Sequence, residues 1–332
     1  MKRIMDVYSP ISRSKHWLHK RKHYLVASLI CLLLYGFSFM PLPTPGIDTP
    51  SPIGPYLDGV LPSDPPSGSS DNWEVENAFP NLTFKDPLAL LEIPGESAYF
   101  VAGKVGLIYK IADDAATTTK DIVLDISSMV DTDGDSGLLN AILHPEFGQV
   151  GSPNRGYIYV MYRYHPDGNV GGCNTNAFIR LSRFNRPDGM ENFDPTSEYV
   201  LVQVFDEHCW HNGGGMFFDD EGYFYFTVGD AGGANDQYGT TQRLNERLMG
   251  GLFRIDMTMD PGRSHPIRRQ QIDPAFSPFE TEHSFGQGYY IPNDNPWQDV
   301  NGSVLEEFYA LGLRSPHRAA MDAISGDIYV VT

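Results

Sequence analysis

From about Trp73 onward the chain is a succession of short strand-like runs, each closed by a turn residue, and long amphipathic helical patterns are absent. The runs fall at 98–101, 107–111, 157–162, 177–184, 199–204, 215–218, 223–228, 251–255, 307–311 and 327–331. Each is rich in β-branched or aromatic residues and is bounded by Gly, Pro, Asn or Asp, the pattern of an all-β domain. One short helix is expected, over 241–249. A weak internal repeat accompanies the runs: FFDDEGYFYFTVGD (217–230) and AMDAISGDIYVVT (320–332) share an apolar start, an Asp, a turn Gly and an aromatic strand, and RGYIYVMYRY (155–164) matches their second half. Repeats of this kind fit propeller blades and, less well, a sandwich.

The first seventy residues have a different character. Residues 1–23 form a basic segment with seven Lys and Arg against Asp6 alone, and residues 24–40 carry no charge. A basic stretch before an apolar one is an export signal or a membrane anchor. A cleaved signal and an uncleaved anchor both remain open, with a buried core helix as a third reading; the expected location is extracytoplasmic in the first two cases. Residues 41–72 are rich in Pro, Gly, Ser and Asp and form a semi-extended linker. The domain proper is expected over 73–332.

Without its first forty residues the chain holds 17 basic against 41 acidic residues, a net charge near −24. Such a surface repels nucleic acid and anionic membrane, so neither is expected as a partner, apart from anchoring through 24–40. Two cysteines remain, Cys173 and Cys209. An oxidising compartment permits their pairing, but two free buried thiols are an equal alternative, because their separation in space is not readable from sequence.

Chemistry-bearing residues cluster in three places. Cys209-Trp210-His211-Asn212-Gly213-Gly214-Gly215 sets a histidine before a glycine run, and Val228-Gly229-Asp230-Ala231-Gly232-Gly233 follows with a carboxylate. A histidine oriented by a carboxylate is a general-base arrangement. Leu311-Gly312-Leu313-Arg314-Ser315-Pro316-His317-Arg318 offers a guanidinium before a Pro turn, suited to an anionic ligand. Asp131-Thr132-Asp133-Gly134-Asp135 lacks an EF-hand's final Glu, since Ile142 stands at that place, and is read as an acidic turn. His144 is kept as a structural turn residue, and no metal ligands are assigned.

Five blocks occur in one order: DSGLLNAILHPEF, HNGGGMFFDDEGYFYFTVGDAGG, LMGGLFRIDM, IPNDNPW and EEFYALGLRSPHRAAMD. Together, over about 78–332, they resemble the glucose/sorbosone dehydrogenase family, which includes the soluble quinoprotein glucose dehydrogenases and the aldose sugar dehydrogenases. The resemblance implies an all-β, six-bladed β-propeller, of which this chain supplies about the first four blades. It implies oxidation of an aldose sugar or related alcohol with pyrroloquinoline quinone, calcium and an external electron acceptor. His211 matches the family's catalytic base, Asp230 its orienting carboxylate and Arg314 its cofactor-binding arginine. Ser315 stands where the family has Asn, His317 where it often has Gln, and Asp135 where a Gln or Glu often precedes the GLLG-like block; these three are carried over as cofactor-site positions. The calcium ligands are expected beyond Thr332, and the chain is expected to be incomplete there, with an unfinished cofactor site and poor stability on its own. The Leu-Arg-x-Pro-x-Arg spelling also occurs in relatives resembling hedgehog-interacting protein, so a non-catalytic binding propeller is the alternative. A propeller hydrolase with a central metal ranks below both.

Overall fold

A computed structural model describes residues 75–169, 171–173, 177–271 and 288–332. The apolar run 24–40, the linker and the basic segment lie outside them. Among the described residues, no helix is long and apolar enough to cross a membrane.

The described residues form sixteen strands in antiparallel sheets that follow one another in chain order. Sheet 1 holds β1 (Pro87–Glu92), β2 (Ala98–Gly103), β3 (Leu107–Ala112) and β4 (Asp121–Asp125). Sheet 2 holds β5 (Leu138–Leu143), β6 (Tyr157–Tyr164), β7 (Ala177–Asn185) and β8 (Asp194–Asp206). Sheet 3 joins β9 (Met216–Phe218), β10 (Phe224–Val228) and β11 (Gly251–Ile255) to β14 (Phe308–Leu311). A small pair, β12 (Ser264–His265) with β13 (Ile291–Pro292), lies in the connection between β11 and β14. The last sheet is the hairpin of β15 (Arg318–Met321) and β16 (Ile328–Val331).

The central strands β6, β7, β10 and β11 are buried on both faces, which is why they are predominantly apolar runs. Along β6, Ile158, Val160 and Tyr162 enter one core with Phe100 and Ile108 of sheet 1. The intervening Tyr159 and Met161 enter a second core with Phe224, Phe226 and Phe253 of sheet 3. This period-2 division of one strand between two cores is the expected result of strand pleating. In sheet 3, Tyr225 and Leu252 turn to a third cluster, which Ile328 of the terminal hairpin joins. Successive sheets are thus stacked through interlocking aromatic layers, with Tyr159 and Phe224 ring centroids 5.2 Å apart.

The first strands of the four sheets meet at one side, β1 against β5, β5 against β9 and β9 against β15. Arg318 ties them together. Its Nη1 donates to the Leu139 carbonyl at 3.3 Å and its Nη2 to the Leu88 carbonyl at 3.0 Å. Sheets 1 and 2 are therefore stitched to the terminal hairpin by one side chain.

The repeat noted in the sequence is a repeated hairpin. Asp219 Oδ1 accepts from the amides of Glu221 and Tyr223 in the β9–β10 turn, and Asp322 Oδ1 accepts from Ile324 in the β15–β16 turn. The helix expected over 241–249 does not form. Leu248 N–H donates to Gln271 Oε1, the Leu244 carbonyl accepts from Leu305, and Arg269 takes the Asn245 carbonyl. Outside partners satisfy the groups a helix would have bonded internally.

Candidate functional site

The loop leaving β8 carries His211, and its path is fixed at Cys209. Cys209 is fully buried and disulfide-bonded to Cys173, with Cα atoms 4.6 Å apart; of the two readings left open for these cysteines, pairing is the one observed. The Cys209 carbonyl accepts from Asp135 N–H at 3.0 Å, Ser136 Oγ at 3.1 Å and Asn212 Nδ2 at 3.0 Å. One carbonyl therefore joins the loop before β5 to the loop before β9. Beyond it the glycine run turns into β9: Gly214 and Gly215 donate to the carbonyl and Oγ1 of Thr227, and Asn140 Nδ2 donates to the Gly214 carbonyl.

Deeper still, Arg163 of β6 holds Asp131 and Asp206 in a fully buried ion-pair cluster, with Nε 2.8 Å from Asp206 Oδ2. The cluster anchors the two loops from beneath. Burial outweighs the arginine at Asp206 and pushes its carboxyl up to about 7. Burial also lowers His208, with help from Arg163 and His211.

His211 and Asp230 meet at the centre. His211 is 8% and Asp230 3% exposed, and His211 Nδ1 lies 2.6 Å from Asp230 Oδ1. The same oxygen accepts from Gly232 N–H at 2.8 Å, Asp230 N–H donates to the Arg314 carbonyl at 3.0 Å, and Thr240 Oγ1 donates to the Asp230 carbonyl at 3.2 Å. An ionised carboxylate only accepts, so Nδ1 carries the proton and Nε2 presents its lone pair. His211 and Ala231 sit in the left-handed region, at φ 59° and 65°, a conformation costing a non-glycine residue about 1–3 kcal/mol and found disproportionately at functional sites.

Arg314 is brought to this pair through its backbone bond to Asp230. Its exposed side chain donates from Nη2 to the Gly233 carbonyl at 3.2 Å, and no ion pair to it occurs among the described residues. Asp135 is also exposed, and its Oδ2 accepts from His211 N–H at 3.5 Å. Ser315 and His317 lie on the same segment as Arg314, and His317 turns back on the Ser315 backbone. His317 Nδ1 is 3.1 Å from the Ser315 carbonyl, and His317 N–H donates to Val331. His144 caps its own turn, accepting from Glu146 N–H at 3.1 Å, and packs on Phe218, in keeping with a structural part. The acidic run 131–135 is a turn, closed by Ser136 N–H on the Asp133 carbonyl.

The sequence reading passed over Asn212, Ser136, Asn140 and Trp210. Asn212 is 3% exposed, and its Oδ1 has no hydrogen-bond partner among the described residues. Asn140, a lone amide inside the apolar run LLNAIL, was the visible signal that this strand bonds a neighbouring loop. Among the described residues, Cys173, His208 and Cys209 are the one group of three metal-ligating side chains within reach of one another, and the disulfide occupies two of them.

The family profile described as Glucose / Sorbosone dehydrogenase matches residues 84–276. HIPL2 protein from Arabidopsis thaliana is 30% identical over 236 residues, covering 62% of this chain and 31% of that protein. Hedgehog-interacting protein from Mus musculus is 24% identical over 240 residues, covering 71% of this chain and 30% of that one. The chain spans about 30% of the length of these curated relatives. Among solved structures, a glucose dehydrogenase superposes with TM-score 0.52 at 18% identity, over 74% of this chain and 61% of that chain. The soluble aldose sugar dehydrogenase of Escherichia coli, in its apo form, gives 0.50 at 21% identity, over 77% and 58%. These superpositions establish a likeness of fold.

Proposed function

The chain belongs to the glucose/sorbosone dehydrogenase family, and from that premise we propose that it oxidises an aldose sugar or related alcohol, with His211 as the general base and pyrroloquinoline quinone as the electron acceptor. The observation that carries this reading is the buried 2.6 Å contact between His211 Nδ1 and Asp230 Oδ1. It leaves Nε2 as the proton acceptor. The substrate hydroxyl donates to Nε2, the proton moves onto the ring as the C–H bond gives up its hydride, and Asp230 stabilises the imidazolium. Asp230 in turn is held by Gly232 and by the Arg314 carbonyl, so the ring keeps one orientation through the cycle.

The residues present fit a planar anionic cofactor. Arg314 presents an exposed guanidinium, bonded to one backbone carbonyl and to no carboxylate among the described residues, which suits the fork-like recognition of carboxylates. Arg314 would hold the cofactor, with Ser315, His317 and Asp135 nearby. When bound, pyrroloquinoline quinone supplies a two-electron acceptor that no side chain provides, and an external acceptor returns it to the oxidised form. Calcium is part of this reading through the family and is assigned no ligand among the described residues.

In the same reading, the successive sheets are the first four blades of a six-bladed ring. The Cys173–Cys209 disulfide supports an extracytoplasmic location, where such bonds persist, with residues 24–40 as signal or anchor.

A binding propeller is the second reading, favoured by the match to Hedgehog-interacting protein across 71% of the chain. In that case the same loops hold a protein or glycan without turnover. Titrating the full-length protein with quinone and calcium, and following dye reduction with aldoses, separates the two. An enzyme gains sugar-dependent activity; a binder does not.

A further inference from the structure

Two Asn-x-Ser/Thr triplets with a residue other than Pro in the middle occur in the chain, Asn81-Leu82-Thr83 and Asn301-Gly302-Ser303. Alone, such a triplet is a weak signal; on the surface of an exported chain it is the acceptor of an N-linked oligosaccharide. The structure puts both on the surface. Asn81 and Thr83 are exposed, as are Asn301 and Ser303, and each Asn sits in a turn outside the strands. Val300, directly before Asn301, is 79% exposed, so that turn projects into solvent. Each amide also has room for substitution. Asn81 Nδ2 donates to the Ala115 carbonyl at 3.4 Å and Asn301 Nδ2 to Asp299 Oδ1 at 3.2 Å, and among the described residues neither nitrogen makes another bond. An Asn amide has two N–H groups, so one N–H keeps that bond while the other is replaced.

The two turns share one end of the sheets, and it is the end away from His211. In sheet 3, Val228 pairs with Gly251 and Gly251 with Leu311 at the end from which the Asp230 and Arg314 segments leave. Phe224 pairs with Ile255 at the other end, where the connection carrying Asn301 departs. In sheet 1, Lys104 of the β2–β3 turn marks the site end, donating from Nζ to the Gly134 carbonyl beside Asp135. Ala115, the partner of Asn81, lies in the β3–β4 connection at the opposite end. We propose that Asn81 and Asn301 each carry an N-linked oligosaccharide, so that two glycans cover the end opposite the site and leave the site loops open. The inference needs nothing from the sugar-dehydrogenase reading and rests on the extracytoplasmic location proposed above. The donor is a lipid-pyrophosphate-linked oligosaccharide. A bond forms from the Asn Nδ2 to the anomeric carbon, the bond from that carbon to the pyrophosphate oxygen breaks, the lipid pyrophosphate leaves, and the amide gives up one proton. Nothing is oxidised or reduced.

The test expresses the full-length chain in a eukaryotic secretory host and maps its peptides before and after peptide N-glycosidase, which turns each glycosylated Asn into Asp. Both peptides are expected to carry glycan, and digestion of the native protein is expected to remove the two in two steps of gel mobility. Asn81→Gln and Asn301→Gln each lose one step. Thr83→Ala and Ser303→Ala reproduce those losses, because the triplet needs its hydroxyl residue. The peptide map of the wild type decides the question even where a variant fails to fold. An unmodified Asn at either position overturns the proposal for that site. Thiol labelling then separates the two ways of failing. A bonded Cys173–Cys209 pair shows that the chain was exported and the turn refused; two free thiols show that the location reading falls together with the proposal.

Discussion

The carbonyl oxygen of His211 occupies the place where a side chain on Gly229 would begin: an added Cβ would lie 1.8 Å from it, and 2.9 Å from the carbonyl oxygen of Arg314. Gly229 is thus the point where the histidine loop, the aspartate strand and the arginine segment come closest. Gly229→Ala must push His211 off Asp230 even though it alters no chemical group. A displacement of about 1 Å at a reacting centre costs on the order of 10²-fold in rate. The expected outcome is a folded protein, by circular dichroism and melting, with kcat/KM reduced by that order. Wild-type activity would remove the close approach from the account.

The disulfide should matter to both stability and function. Its ends are 36 positions apart in sequence, a loop for which closure entropy gives about 2–4 kcal/mol. Replacing both cysteines by Ala is expected to lower the urea midpoint accordingly. Because Cys209 carries the three hydrogen bonds that set the His211 loop, kcat should fall as well, by more than in a surface variant of equal stability.

Strand positions were legible in β6, β10 and β11, which are continuous aromatic and β-branched runs. The strands β4 and β5 were not expected, although LLNAIL of β5 is largely buried. Nor were β1 and β15. PLALLE and RAAM lack β-branched residues and take strand form from their neighbours. β8 extends beyond its expected bounds, since Asp194, Pro195 and Thr196 resemble a turn; bulges at Leu181/Ser182 and Arg183/Asn185 absorb the irregularity. The segment 241–249 has helical spacing of Leu244, Leu248 and Met249, yet its backbone partners come from residues up to 61 positions away, such as Leu305 with Leu244. His211, Asp230 and Arg314 were legible from the order of their motifs. The Arg163 cluster was not, because Asp131 and Asp206 lie 32 and 43 residues from it and nothing local marks them as partners.

Glu307 gives the fold a pH dependence of defined sign. It is 2% exposed, accepts from Tyr289 Oη at 3.0 Å, and burial pushes its carboxyl from 4.5 up to about 7. Between those values the folded protein keeps a proton that the unfolded chain has released, so stability falls as pH rises through the window. Asp206, also raised to about 7, acts in the same direction, so the difference between wild type and Glu307→Gln isolates Glu307. The Gln variant, a neutral mimic, should be more stable at pH 7 by roughly 1–3 kcal/mol and indistinguishable near pH 4.5. Parallel stability curves for the two proteins across that range would contradict the assignment.

The measurement that bears most directly on the central claim is the rate of aldose-dependent dye reduction by the full-length protein loaded with pyrroloquinoline quinone and calcium, compared with His211→Ala loaded in the same way. The account predicts quinone-dependent turnover in the wild type and a loss of about 10²–10⁴-fold in the variant, with quinone affinity retained. A variant that turns over like wild type, or a wild type that binds quinone and oxidises no sugar, would contradict it.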